Sequence, residues 1–218
     1  MLNITLLLLS CGRPALLNRT VTSLYQQIPP YLFDEMLLID CKDKINLTGF
    51  TSLRACETKT REENIMCNIH RLYNAAKTTY VLFTEDDWEF VRSKPPLKEM
   101  ISPFMKILDV QKSATSLQLS GLNKPFYHNK TRAPHLHKGS VWVWTNSPAG
   151  PNGNFGSWTN NPHIAKLPMP FPDLSHEGKN SVAMRRLGYT NIQSVQRYVR
   201  HIGKGYHVKE GFLSGLFQ

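Results

Sequence analysis

No apolar run in this sequence approaches the ~20 residues that a membrane-spanning helix requires, so no integral membrane segment is expected. Cysteine is scarce. Cys11, Cys41, Cys56 and Cys67 are all in the first third, and no two are spaced as CxxC, which excludes a cysteine metal cage. The expectation is four reduced thiols in a cytoplasmic protein. No Lys or Arg precedes the apolar residues 6–9, and that run is too short for the core of a secretory signal, so it reads as a buried first strand. Four Asn-x-Ser/Thr sequons, at Asn3, Asn18, Asn46 and Asn129, matter only in a secretory pathway. Internal repeats and low-complexity tracts are also missing. Acid is short in the second half: from Lys124 onward, twelve Lys and Arg face only Asp173, Glu177 and Glu210. That imbalance points to an anionic ligand or to a solvated basic face. No RNA- or DNA-binding motif accompanies it, so nucleic acid is not an expected partner.

What is present suits one domain with a sizeable core. Of the 218 residues, 41% are hydrophobic and 19% charged, ordinary for a globular protein. Residues 4–10 form a continuous apolar run that meets Cys11-Gly12-Arg13-Pro14, a strand entering a turn. Pro14 suits a first helical position, and Leu16, Leu17, Val21 and Leu24 follow at helical spacing. Residues 35–40 make a second buried strand ending in Asp40. Thr60 with Glu63 reads as a capping box, and Ile65, Ile69, Leu72, Tyr73 and Ala76 give the apolar face of its helix. Residues 80–84 form a third strand that runs into Glu85-Asp86-Asp87. Strands are also expected near 117–119 and 141–144, a long loop between 146 and 172, and a last helix capped by Ser175 and stopped by Gly188. Alternating strands and helices predict an α/β domain around a mostly parallel sheet. The chain ends at Gln218 without a clear closing element, as the first domain of a longer protein does.

Ligands of parallel α/β sheets bind at the carboxyl ends of strands. Three such ends are polar here: Ser10 to Arg13, Asp40, and Glu85 to Asp87. Adjacent carboxylates repel one another and are costly to bury unpaired. A divalent cation such as Mn²⁺ or Mg²⁺ resolves this, since it takes carboxylate and phosphate oxygens. A solvated acidic turn is the competing reading of the triplet alone.

Residues 58–88, a capped helix carrying Asn and small residues followed by an apolar strand and an acid-x-acid motif, resemble the GT-A glycosyltransferases, especially the large family 2 group. The resemblance covers about the first 90 residues well and the rest loosely. It implies a single GT-A domain over 1–218, with a mixed, mostly parallel central sheet flanked by helices. Residues 1–90 would be the nucleotide-binding half and 91–218 the acceptor-binding half. In this motif Glu85 replaces the usual first Asp. The family pattern gives the metal to Asp87 and the ribose or metal to Glu85, with Asp86 beside them. It gives the uracil to Asp40, and the base or diphosphate to Arg61 of the Thr60-Arg61 pair. Ser10, Cys11 and Arg13 of the first turn belong to the same donor site. Arg61 and Arg13 also read as ordinary surface charges.

The resemblance further implies a base at the start of a late helix, which selects Glu177, although Gly178 stands where the family has a second acid. It implies a His metal ligand near the C-terminus, which selects His201, with Lys204, Tyr206 and His207 following toward the diphosphate. Among the tryptophans, Trp142 and Trp144 read as core and Trp158 as the acceptor-side residue, because aromatic faces stack on sugars. The expected activity is transfer of a sugar, with inversion, from a UDP-sugar donor to a hydroxyl of a glycan or glycoprotein, as in cytosolic enzymes of bacteria or large viruses. Two alternatives stand beside it. One is a nucleotidyltransferase of related fold, although only Gly12-Arg13 matches its glycine-rich loop. The other is a non-catalytic module that binds glycans or polyanions through the basic half.

Overall fold

The computed structural model describes residues 2–42, 45–120, 135–137, 141–144 and 161–203. The chain opens with strand β1 (Ile4–Ser10), helix α1 (Pro14–Gln27), β2 (Glu35–Asp40), the short β3 (Thr51–Ser52), α2 (Arg61–Ala75) and β4 (Tyr80–Glu85). It continues with β5 (Trp88–Phe90), α3 (Leu97–Val110), β6 (Ala114–Gln118), β7 (His135–His137), β8 (Val141–Trp144) and β9 (His163–Lys166). Helix α4 (Glu177–Arg186), β10 (Thr190–Ser194) and β11 (Val199–His201) follow.

Among the described residues, nine strands form one sheet in the order β3-β2-β1-β4-β9-β6-β10-β8-β7, and β11 pairs with β5 in a separate ribbon. Only β8 and β9 run against the other seven. The expected α/β architecture with a mixed, mostly parallel sheet is therefore present. Strand β1 is wholly buried because both of its faces are covered. Ile4 and Leu6 pack with α3 residues Ile101, Phe104 and Leu108, and Leu8 packs with Leu17 of α1. On the opposite face, Leu7 and Leu9 meet Met66, Ile69 and Leu72 of α2 and Met184 of α4. Each fully buried aliphatic side chain in these layers contributes about 1.5–3 kcal/mol.

Local signals explain the elements they flank. Pro14 opens α1, and Gly12 before it has φ +71°, a left-handed conformation that disfavours a side chain. Thr60 caps α2 by accepting from the Glu63 N–H at 3.1 Å. Gly188, φ +89°, stops the chain after α4 as expected.

Three expectations are corrected and one unassigned stretch is filled. Cys56 and Cys67 form a disulfide across eleven residues, so the chain does not carry four reduced thiols. The loop before α2 returns onto its own helix there, and Asn68 Oδ1 receives the Cys56 N–H at 2.6 Å. Second, the expected loop over 146–172 contains β9, which inserts antiparallel between β4 and β6. Four residues carry too little periodicity to announce a strand, and its neighbours are set by tertiary pairing. Third, α3 fills a stretch for which no helix is expected. Leu97, Ile101, Phe104, Ile107 and Leu108 line its buried face, but Pro103 interrupts the helical signal. Fourth, the cap of α4 is His176, whose Nδ1 accepts from the Gly178 N–H at 2.9 Å, while Ser175 bonds Asp173 instead. Strand β6 also lies at 114–118, slightly before the expected 117–119.

Candidate active site

The strand order places β1 between β2 and β4, so the chain leaves β1 toward one side and returns on the other. This reversal opens a crevice outside the carboxyl ends of these strands. Register aligns them: Ser10 pairs with Asp40, and Leu9 with Glu85. The first turn, Asp40 and the acidic triplet therefore meet at one edge, as the sequence predicts.

The three acids have different environments. Asp86 is fully buried and points inward. Its Oδ2 accepts from Ser10 Oγ at 2.9 Å and from the Cys11 N–H at 3.0 Å, and its Oδ1 is ion-paired with Arg13 Nη2. Thr20 of α1 donates to the Asp86 carbonyl at 2.9 Å. Burial pushes the Asp86 carboxyl up, while Arg13, the Cys11 N–H and Ser10 oppose that rise. Asp86, expected at the donor, is thus engaged in holding the first turn.

Asp87 is 4% exposed. Its Oδ2 lies 3.1 Å from Arg13 Nη1 and 3.4 Å from His201 Nε2, and its Oδ1 is buried with no hydrogen-bond partner among the described residues. Burial works against the charge of Arg13, but Asp86 and Asp87 outweigh it and raise the guanidinium above its ordinary range. Burial also drives Glu85 well above the carboxylate range, with further contributions from Asp87, Glu177, Cys11 and Asp86.

His201 reaches this cluster through the β5–β11 ribbon, in which it pairs with Trp88 and packs edge-on at 5.0 Å. The Ile202 N–H donates to the Asp87 carbonyl at 2.8 Å. A Cβ at Gly203 would lie 2.6 Å from Asp87 Oδ2, so the close approach depends on glycine. Glu89 of β5 ties the ribbon to α1, accepting from Arg19 Nη2 at 2.9 Å and Arg200 Nε at 2.9 Å. Burial opposes the charge of Glu89, and those arginine hydrogen bonds outweigh it and hold its carboxyl below the usual range.

Glu177 occupies the first turn of α4, where the helix dipole favours a carboxylate. Its charge adds to the rise of the Glu85 carboxyl, across a long separation in sequence.

A cavity of about 300 Å³ opens beside this edge, lined by Cys11, Arg13, Cys41, Lys42, Arg61 and Asn64. It collects three of the predicted donor residues: Cys11, Arg13 and Arg61. Lys42 is an addition that sequence reasoning missed, although it follows the polar end of β2 by only two residues. Its stem packs so closely on Gly12 that a Cβ there would lie 2.5 Å from Lys42 Cδ. Asp40 is 3% exposed, and its carboxylate accepts the Gly12 N–H at 2.7 Å and the Ile45 N–H at 3.2 Å. It braces the turn in this structure. Trp158, Lys204, Tyr206 and His207 lie outside the described residues. Trp142 and Trp144 belong to β8 and pair in register with Gln193 and Asn191.

The residues fit a cation at an open site. Among the described residues, no group of three or more His, Cys, Asp and Glu side chains is placed to hold a metal ion. Mg²⁺ and Mn²⁺, however, commonly take one or two carboxylates and complete their coordination with substrate phosphate and water. The orphaned Asp87 Oδ1 is a buried acceptor of the right chemistry.

No family model matches the chain, and no curated protein matches it. Solved structures do. S. aureus TarS 1–349 is 14% identical, with a TM-score of 0.53 over 90% of this chain and 59% of that one. Its complex with UDP aligns at 12% identity and a TM-score of 0.54, covering 90% of this chain and 59% of that one. The mannosyltransferase PcManGT from Pyrobaculum calidifontis, in complex with GDP-Man and Mn²⁺, is 12% identical, with a TM-score of 0.51 over 87% of this chain and 53% of that one. The chain thus spans little more than half the length of the structures it matches. The likeness shows a GT-A type fold.

Proposed function

We propose that this chain is a metal-dependent glycosyltransferase domain that moves a sugar from a UDP-sugar to an acceptor hydroxyl with inversion. The observation that carries the reading is the approach of His201 to Asp87, two residues from Glu85 at the carboxyl end of β4, beside a cavity bearing Arg13, Lys42 and Arg61. The GT-A type fold supports it, since TarS is solved with UDP and PcManGT with GDP-Man and Mn²⁺.

In this reading Asp87 and His201 would hold Mn²⁺ or Mg²⁺, with Glu85 beside them and substrate phosphate and water completing the coordination. Such an ion neutralises charge on a departing diphosphate. Arg61 starts α2, and a helix N-terminus with a guanidinium is a ready phosphate site. Lys42 adds positive charge to the same cavity, and Arg13 lines it while paired with Asp86 and Asp87. Cys11 lines it, and Ser10, Asp86 and Asp40 keep the first turn in place. Glu177 accepts the proton of the acceptor hydroxyl as that oxygen attacks the sugar from the face opposite the diphosphate. Residues 1–90 form the donor half. Residues 91–218 form the acceptor half, contribute Glu177 and His201, and include Trp158 as the sugar-stacking residue. The acceptor is a glycan or glycoprotein.

No helix among the described residues is long and apolar enough to cross a membrane. A cytoplasmic location presumes reduced thiols, and the Cys56–Cys67 bridge weighs toward an oxidising compartment instead.

The deciding experiment measures thermal stability with UDP-sugars, with and without Mn²⁺. The right donor raises the melting point by mass action, and Asp87→Ala removes the metal-dependent part. Unchanged nucleotide binding and turnover in Asp87→Ala would show that the site is misassigned.

A further inference from the structure

Cys11 and Cys41 do not take part in the disulfide, and neither thiol acts in the chemistry above. They follow the carboxyl ends of adjacent parallel strands, whose last paired residues are Ser10 and Asp40. The Cys41 N–H donates to the Ser10 carbonyl at 2.8 Å, which extends the pairing to the two cysteines. Neighbouring strands run about 4.7–4.9 Å apart, inside the Cα separation that a disulfide spans. The sulfurs are 3.2 Å apart. Both residues are half-buried and line the cavity that holds Arg13, Lys42 and Arg61.

We infer that Cys11 and Cys41 are a modification site, an oxidisable dithiol in the wall of the donor cavity whose disulfide weakens nucleotide binding. The inference about binding rests on the donor reading proposed above; the disulfide itself does not. Cys41 is the attacking sulfur. Cys11 donates to it, and Asn68 Nδ2 lies 3.5 Å from it, so both stabilise a thiolate there. With hydrogen peroxide as the oxidant, the Cys41 thiolate takes one peroxide oxygen. The O–O bond breaks, and the departing hydroxide takes up a proton to become water. Cys11 then loses its proton and attacks the Cys41 sulfur. The S–S bond forms, the S–O bond breaks, and a second water leaves. Two thiols lose two electrons in total, and one peroxide becomes two waters.

The consequence follows from what the turn holds. Closing the bridge draws the sulfurs to about 2.05 Å, which moves a turn whose N–H groups serve two carboxylates. Cys11 N–H bonds Asp86 at 3.0 Å, Gly12 N–H bonds Asp40 at 2.7 Å, and Arg13 comes next in the chain. Gly12 is pressed against the Lys42 stem, so the movement passes to Arg13 and Lys42, two of the three basic residues of the cavity.

The test treats the full chain with hydrogen peroxide, blocks remaining thiols, and maps peptides by mass spectrometry. UDP affinity is measured by calorimetry before oxidation, after it, and after dithiothreitol. The expected results are a Cys11–Cys41 linked peptide and UDP affinity about tenfold weaker in the oxidised chain, a usual size for coupled sites. Dithiothreitol restores the affinity, and Cys41→Ser gives the same UDP affinity before and after peroxide. Sulfinic acid on either cysteine without a linked peptide overturns the inference. So does equal UDP affinity in the two states, or a tenfold loss that persists in Cys41→Ser. A chain that binds no UDP in either state overturns the donor reading and the coupling together, and the peptide map then decides the bridge alone.

Discussion

His201 Nε2 stands 3.4 Å from Asp87 Oδ2, brought there by β11, which pairs with β5 next to the acidic triplet. If the pair grips a cation, His201→Ala weakens Mn²⁺ binding in the presence of UDP about 10–100-fold, as losses at metal sites do. Electron paramagnetic resonance of free Mn²⁺ reads this without any turnover. Unchanged Mn²⁺ affinity in His201→Ala removes the histidine from the site.

Arg13 neutralises Asp86 and Asp87 in a buried setting. Arg13→Ala strands both carboxylates, and breaking a buried pair costs about 3–5 kcal/mol. Urea unfolding at neutral pH is the measurement. Arg13→Lys recovers only part of the loss, because an ammonium cannot present the guanidinium fork. A loss below about 1 kcal/mol, the range of surface pairs, shows that solvent reaches this pair freely.

Glu177 has a role that separates from binding. Glu177→Gln keeps the shape of the side chain and removes its basicity. The expected outcome is a turnover rate lower by about 10²–10⁴-fold with UDP affinity unchanged. Equal losses in both quantities indicate that Glu177 acts on donor binding or on folding of α4 instead.

His163 predicts a pH effect on stability. It is fully buried between β4 and β6, beside the Tyr73 hydroxyl and with Nδ1 2.6 Å from the Asn161 carbonyl. Burial lowers it from 6.5 to about 4, against the Asn161 hydrogen bond, so it stays neutral in the fold. The unfolded chain binds this proton more readily than the folded one. The contribution is therefore complete above pH 6.5 and is lost as pH falls toward 4, amounting to about 3 kcal/mol. The difference in unfolding free energy between the native chain and His163→Gln, followed from pH 7 to 4, isolates it. A flat difference contradicts a neutral buried imidazole.

The first ninety residues were legible because their signals are local. Strand β1 is a continuous apolar run, Pro14 and Thr60 start helices by their own chemistry, and the polar residues Ser10, Asp40 and Glu85 mark strand ends. Beyond them, β9 is too short to announce itself and α3 carries Pro103. The disulfide was hidden because its two cysteines are eleven residues apart, and they meet only when the loop folds back on α2. Nothing local in the sequence marks Lys42; its close contact with Gly12 places it at the cavity.

The sequence alone determined the α/β alternation and the position of the acids at the end of a buried strand, since periodicity and capping act over a few residues. It also nominated Glu177 and His201, through the family pattern. Only the tertiary structure decided that Asp86 turns inward to Arg13 while Asp87 keeps a bare oxygen, and that His201 comes to Asp87. These outcomes depend on strand order and on which buried charge finds a partner, and both are settled by contacts between segments far apart in the chain.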